Sequence, residues 1–385
     1  MKRRRFWEDH TYVPSKPLHG EIATKHLIVG GGVAGLFTAY FLLKNGETDI
    51  TIIERDFVGM GSTGHSAGML VKELETASWD AVAKRYGKKA ATAYAQAQVD
   101  AQLEVAQIIK EGKIDDCGYA KDDFYLLMRT VWSPAKRRSE HKLRRALGMK
   151  SDFLDPRTLH AEFNTSKFEF GERLEGSISV NPLAFSHGVA RYLRSRGVRI
   201  YENTPLITVK GGKAQTPNGE ISFSTIVYAR GTAEKGRHLV TYLTSIGVTR
   251  PLTKEELQSF HLRDKDMFLD EESRGSYHYG KITADDRILI GYGDVLVRSD
   301  VAHAPLHVPH YEEIKRFIQS TFGSIALEYA WSGVYSLHKK EVPFVKVTKR
   351  SATIAGAGTQ LASIACASYV ASRLLSKKHP LEILF

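Results

Sequence analysis

The chain has 385 residues, 42% apolar and 25% charged, with 54 Lys and Arg against 43 Asp and Glu for a net charge of +11. The apolar and charged fractions are ordinary for a soluble protein, and the length allows two domains or one large α/β assembly with ample core. The two cysteines, Cys117 and Cys366, fit no metal pattern and exclude a disulfide framework, so a reducing compartment, and by default the cytoplasm, is expected.

Residues 1–21 read as a polar, irregular arm carrying Pro14 and Pro17. Lys25 to Val29 reads as a short buried strand. It runs into Gly30-Gly31-Gly32-Val33-Ala34-Gly35, which fits G-x-G-x-x-G, and then into an apolar run ending at Leu43. Strand, glycine turn and helix in that order make a dinucleotide-binding unit. Gly30 permits the tight turn, Gly32 lets the backbone approach a pyrophosphate, and Gly35 lets helix and strand pack closely. The helix N-terminus offers N–H groups and a positive dipole end to phosphate. Asp49 to Ile53 forms a second strand ending in Glu54, an acid suited to a ribose hydroxyl and repellent to a 2′-phosphate. The alternative is a membrane anchor, since Arg3 to Arg5 precede the apolar run. Against it stand four glycines in the six residues 30–35 and the absence of a small-residue cleavage site. No later segment is long and apolar enough to span a membrane.

Val58 to Leu70 is a loop rich in glycine and serine. Trp79 to Gly112 is helical with a break near Gly87, and its three- and four-residue steps put Ala91, Ala95, Val99, Leu103, Ala106 and Ile109, with Gln102, on one face. Asp123 to Arg129 reads as a strand, Ser133 to Leu147 as a helix, Gly176 to Val180 as a strand and Leu183 to Arg196 as a helix. Strands follow at Val198–Tyr201, Leu206–Lys210 and Ile226–Ala229. From Thr249 to Gly293 the pattern is β-like, with strands at Ser276–Lys281 and Arg287–Gly291. His310 to Phe322 is helical, Thr353 to Ala357 a last strand, and Gln360 to Leu375 a helix of small residues. Strands and helices alternate at both ends around a β-rich middle. This predicts an α/β fold, a Rossmann-like nucleotide domain from 22–85, 176–235 and 326–385 with an inserted α+β substrate domain from 86–175 and 236–325. Basic runs at Lys2–Arg5 and Lys136–Arg145 could attract nucleic acid, but no RNA-binding motif accompanies them, and a solvated helix face is preferred.

The sequence resembles the D-amino acid oxidase superfamily of flavoproteins, the group with glycine oxidase, sarcosine oxidase and dimethylglycine dehydrogenase. The resemblance is carried by His26 to Gly68 and by the later pieces Asn181-Pro182 before a helix, GVRIYENTPL, IVYARG, DRILIGYGD and a closing strand-to-helix turn. It implies FAD as cofactor and an antiparallel sheet covering the flavin. By position, Gly30, Gly31, Gly32, Val33, Ala34 and Gly35 would hold the pyrophosphate, and Glu54 the adenosine ribose with Arg55 beside it. Leu206 would contact the adenine by backbone. Ala229 and Gly231 would close a strand near the pyrophosphate. The turn of Gly356, Gly358, Thr359, Gln360 and Leu361 would present N–H groups to the flavin pyrimidine ring, where charge grows on reduction.

The loop of Gly61, Ser62, Thr63, His65, Ser66, Ala67 and Gly68 would pass the flavin ring. Members resembling dimethylglycine dehydrogenase carry at the place of His65 a histidine bonded covalently to the flavin 8α-methyl carbon; the alternative is a histidine that only hydrogen-bonds or packs beside the ring. Two departures stand out: GAGTQLA has fewer glycines than the family's last turn, and Arg230 stands where a Thr is common.

The implied activity is oxidation of a C–N bond in a small amine or amino acid, by hydride transfer from a neutral amine to flavin N5. Alignment matters more here than a strong base. The electron acceptor is oxygen or another redox partner, and no metal is expected. Alternation along Ser276–Lys281 puts Tyr277, Tyr279 and Lys281 on one face and His278 on the other. Tyr277 and His278 are candidate catalytic residues, against the reading that these aromatics are core or sheet surface. Arg274 is a candidate for a substrate carboxylate, and Trp331, Tyr335 and His338 are further candidates. No lysine for oxygen activation is assigned. Rival functions are a flavoenzyme acting on modified tRNA, which the basic balance favours, and a non-catalytic flavin-binding partner protein.

Overall fold

A computed structural model describes residues 1–8, 12–74, 78–128, 134–163, 168–259, 267–273, 276–297 and 305–385. Among these residues the chain builds an eight-stranded and a nine-stranded sheet. In the first, strands Ser351–Ala355, Gly219–Tyr228, Gly20–Val29, Ile50–Ile53 and Arg199–Tyr201 lie side by side and parallel, with Phe344–Val347 antiparallel at one edge. The leading strand begins at Gly20, earlier than its apolar core suggested. Its polar first half is held by register with Gly219–Phe223 and not by burial.

Side chains of this sheet alternate between two layers. Ile28, Ile50 and Ile52 enter the core of the helices, while Leu27, Val29 and Ile53 pack with Leu18, Ala214 and Ile221 on the other side. The Val33–Lys44 helix is buried almost all round, because the sheet, the Pro182–Ser195 helix and the alanine-rich Gln360–Leu374 helix all lie against it. The break at Gly87 (φ 88°) separates helices Trp79–Tyr86 and Lys88–Glu111.

Three expectations need correcting. Of the expected stripe the long helix buries Ala91, Ala95, Gln102 and Ile109, but Leu103 is 64% exposed and the buried face continues through Tyr94, Gln98, Ala101, Val105 and Ile108. It packs on Gln360–Leu374 through small residues, whose weak hydropathy hides the buried face. For the same reason it shares the core of the nucleotide sheet, although 86–175 was assigned to the substrate domain. The Leu327–His338 strand, assigned with 326–385 to the nucleotide domain, pairs instead with Leu239–Thr249 in the second sheet.

That second sheet runs Leu327–His338, Leu239–Thr249, Ile288–Val297, Ser276–Ile282, Met267–Ser273, Ala120–Met128, Phe170–Ser179 and Met69–Leu70. It is antiparallel except where Met267–Ser273 lies parallel to Ala120–Met128. The Val308–Phe322 helix covers one face with Ile314, Phe317 and Ile318 against Phe268, Ile288 and Ile290. The described residues of the N-terminal arm are packed on the body of the fold. Trp7 is buried among Ala67, Leu183 and Trp331, and Tyr12 stacks on His187 at 3.5 Å while donating to Glu202. No helix of the described residues is long and apolar enough to cross a membrane.

Candidate functional site

The glycine turn closes as its spacing requires. Gly30 has φ 116°, and a Cβ there would stand 2.3 Å from Ala229 O; one on Gly35 would stand 1.9 Å from Gly30 O. Gly32 then caps the Val33–Lys44 helix without a side chain, and Val33 N–H donates to Thr63 Oγ1 at 3.1 Å. Glu54 ends the next strand, where its carboxylate accepts Gly31 N–H at 2.6 Å and Asp56 N–H at 3.0 Å. Burial pushes that carboxyl up, against the pull of those two N–H donors.

A cleft of about 1300 Å³ lies along this helix end. Gly30, Gly32, Val33, Ala34, Glu54, Arg55, Gly61, Ser62, Thr63, Leu206, Ala229, Gly231, Gly356 and Gly358 line it. Gly31, Gly35, Gly68 and Leu361 line neither this cleft nor the cavity beside it. Gly31 reaches the site through its bond to Glu54, Gly35 and Gly68 serve close backbone packing, and the Leu361 side chain is buried in the helical core. Arg230 pairs with Glu234 at 2.7 Å at the rim.

The Ser62–His65 turn is held from below. Trp331 Nε1–H donates to His65 O at 3.0 Å, and Trp7 Nε1–H donates to Ser66 O at 2.9 Å. His65 Nδ1 lies 2.9 Å from Gly61 O, so Nδ1 carries a hydrogen. Gln360 Nε2–H donates to Ser66 Oγ at 2.7 Å, whereas its buried Oε1 has no partner among the described residues. The role of Trp7 was not legible, because nothing local marks an indole that acts on residue 66.

A second cavity of about 1170 Å³ opens from the cleft and shares Val33, Ser62, Thr63, Tyr335, Gly358 and Ser363 with it. Its further walls are His65, Ser66, Ala67, Met69, Val71, Glu73, Phe124, Leu269, Thr244, Tyr277, Tyr279, Thr359 and Gln360. Tyr277 donates to Asp294 Oδ2 at 2.6 Å, and Tyr335 donates to Asp294 Oδ1 at 2.8 Å. Glu73 is clamped by Arg144, with Nε and Nη2 at 2.6 and 2.9 Å, while Arg144 Nη1 reaches Glu172 at 2.6 Å. Arg144, part of the basic run, is thus buried in an ion network and not on a solvated face.

His278 does not join the site. It is fully buried on the opposite sheet face, stacked on Phe317 at 3.9 Å and Tyr292 at 4.8 Å, which removes it as a catalytic candidate. Lys281 lies behind Met69's strand, with Nζ bonding Ser179 Oγ, Val180 O and Gly68 O at 2.8, 3.0 and 3.3 Å; burial brings its pKa down to about 7. His338 Nδ1 turns to Val342 O. Arg274 lies outside the described residues.

These residues fit FAD. A Cβ on Gly32 would stand 3.2 Å from Thr63 Oγ1, at the place where a pyrophosphate would meet the helix end, and the lone Gln360 oxygen awaits a donor. The chain is similar to gamma-glutamylputrescine oxidoreductase of Escherichia coli (strain K12), 24% identical over 342 residues, covering 86% of this chain and 78% of that protein. It is also similar to sarcosine oxidase subunit beta of Rhizobium meliloti (strain 1021), 20% identical over 379 residues, covering 90% and 82%. Glycine oxidase from Geobacillus kaustophilus shares the fold with a TM-score of 0.75 at 16% identity, over 92% of this chain and 95% of that one. Residues 25–373 match the family model described as FAD dependent oxidoreductase, DAO, so the glycine turn, the acid at 54 and the sheet beside them belong to a member of that family, with FAD as its cofactor.

Proposed function

We propose that the chain oxidises the C–N bond of a small amine or amino acid. The observation that carries this reading is the tyrosine-walled cavity continuous with the cofactor cleft through Val33, Thr63 and Tyr335. Two relatives, named for gamma-glutamylputrescine and for sarcosine, support it. Bound FAD supplies the two-electron acceptor. Phe124, Leu269, Val71 and Met69 exclude water, and the tyrosine wall orients the amine, which must be neutral so that its lone pair assists departure of a hydride from the adjacent carbon. The resulting iminium takes up water and releases a carbonyl and the amine fragment. The electrons pass on to oxygen or to another redox partner. The two free, buried thiols support a cytoplasmic location.

A covalent link at His65 would form through Nε2, since Nδ1 is turned to Gly61 O. Acid precipitation reads it directly, because a covalent flavin stays with the protein pellet and a pellet from H65N stays colourless. The proposed activity is tested by anaerobic bleaching of the flavin band with a panel of amines and amino acids, followed by admission of air. Bleaching is expected; indifference to every compound would sink the proposal.

A further inference from the structure

The cavity wall contributed by the second sheet holds three tyrosines whose hydroxyls are hydrogen-bonded within the protein. Tyr277 and Tyr335 each donate to one oxygen of Asp294, at 2.6 and 2.8 Å, and an ionised carboxylate only accepts, so the direction is fixed. Tyr279 Oη lies 3.2 Å from Thr244 Oγ1, which also reaches Tyr292 O at 3.2 Å, so this hydroxyl pair is hydrogen-bonded within the protein. A phenol that donates as Tyr277 and Tyr335 do offers a further partner only its lone pairs and its ring face.

The arrangement depends on a β-bulge. Leu243 pairs with Val295 and Ser245 with Tyr292, so the Ile288–Val297 strand carries one extra residue at this point. Gly293 absorbs it with φ 79°, and the alternation then shifts by one. Tyr292 points to the helix-covered face beside His278, and Asp294, two residues on, points to the tyrosines. Without the bulge both would share a face.

The charges near the cavity reinforce this. Among the described residues, the charged side chain that lines it is the carboxylate of Glu73. The nearby buried basic side chains are committed elsewhere, Arg144 to Glu73 and Glu172, and Lys281 to Ser179, Val180 and Gly68. A carboxylate on the reacting carbon would meet hydroxyl acceptors and no lysine or arginine among the described residues that line the cavity, whereas amine N–H groups meet the acceptors they need.

We infer that the substrate is an amine with no carboxylate on its reacting carbon, held by N–H bonds to the hydroxyl oxygens of Tyr277 and Tyr335. The inference rests on the C–N oxidation reading above and narrows its substrate class. Asp294 is a positioning residue that keeps both phenols turned as acceptors.

The test uses the holoenzyme and pairs of compounds that differ only by the carboxylate: butylamine and norvaline, phenethylamine and phenylalanine, N-methylbutylamine and N-methylnorvaline. Anaerobic flavin reduction is followed by stopped flow. The amine of a reactive pair is expected to reduce the flavin at least about a hundredfold more efficiently than its amino acid. Reduction by amino acids as fast as by the amines overturns the inference and leaves C–N oxidation standing, whereas no reduction by any compound overturns both. In D294N the amide donates to one tyrosine oxygen and turns that phenol's hydrogen to the cavity, so the preference is expected to shrink about tenfold with flavin content unchanged. An unchanged preference in D294N overturns the assignment. If D294N loses its flavin, Y277F, which removes one acceptor, carries the same test with the same two outcomes.

Discussion

Gly333 lies against His65 so closely that a Cβ on the glycine would stand 2.6 Å from His65 Cβ. The Leu327–His338 strand thus serves as the floor on which the Ser62–His65 turn rests, with Trp331 two residues away fixing the His65 carbonyl. G333A is expected to lift the turn from the strand and to weaken FAD binding about tenfold, with a smaller loss of thermal stability. Titration of flavin-free protein with FAD, followed by flavin fluorescence, measures it. Unchanged affinity would mean that the turn does not set the cofactor's place.

Glu54 accepts two backbone N–H groups at once, from Gly31 and Asp56. In E54Q one acceptor becomes an amide that must face an N–H donor, at a cost of about 1–3 kcal/mol. The expected result is FAD binding weaker by about tenfold to a hundredfold, because the same carboxylate shapes the glycine turn. Equilibrium dialysis decides it, and an affinity equal to wild type contradicts the assigned role.

Arg144 neutralises Glu73 and Glu172 and lies 3.8 Å from Glu140, all in a buried setting. R144M leaves those carboxylates without their guanidinium and is expected to cost about 3–5 kcal/mol at neutral pH. Burial already raises the Glu73 carboxyl, and loss of the arginine raises it further. A carboxyl whose folded pKa exceeds its unfolded value contributes stability below the unfolded value and loses it as pH rises. The deficit of R144M should therefore shrink on going from pH 7.5 to pH 5, as urea unfolding at both values would show.

Lys281 has the opposite sign. Burial lowers its pKa from 10.5 to about 7, so between those values the native chain holds fewer protons than the unfolded chain. Wild type gains stability as pH rises through that window, by up to about 1.4 kcal/mol per pH unit, and K281M lacks the gain. Nζ donates to Ser179 Oγ, Val180 O and Gly68 O, but none of these three acceptors carries a charge to set against the burial. Urea unfolding of both proteins at pH 7, 8 and 9 tests this, and parallel pH profiles would refute it.

The glycine turn and Glu54 were legible because their spacing is fixed by backbone contact. Alternation along Ser276–Ile282 rightly separated Tyr277 and Tyr279 from His278, and only the choice of catalytic face for His278 failed. Asp294 was hidden because a bulge defeats a period of two. Strands Leu239–Thr249 and Leu327–His338 were missed because their threonines, serines and tyrosines carry little apolar pattern while the partner strands supply the hydrogen bonds. The buried face of Lys88–Glu111 was misjudged in part because alanines, not large residues, mark it.

Tyr335 borders the cofactor cleft and the amine cavity alike. Whatever fills one hollow would finish a wall of the other, so FAD and substrate are expected to act as heterotropic effectors of each other. Thermodynamic reciprocity then sets one number for both directions: the factor by which FAD tightens the amine is the factor by which the amine tightens FAD. A chain emptied of flavin would then bind the amine more weakly, and an amine-saturated chain would hold its flavin more tightly.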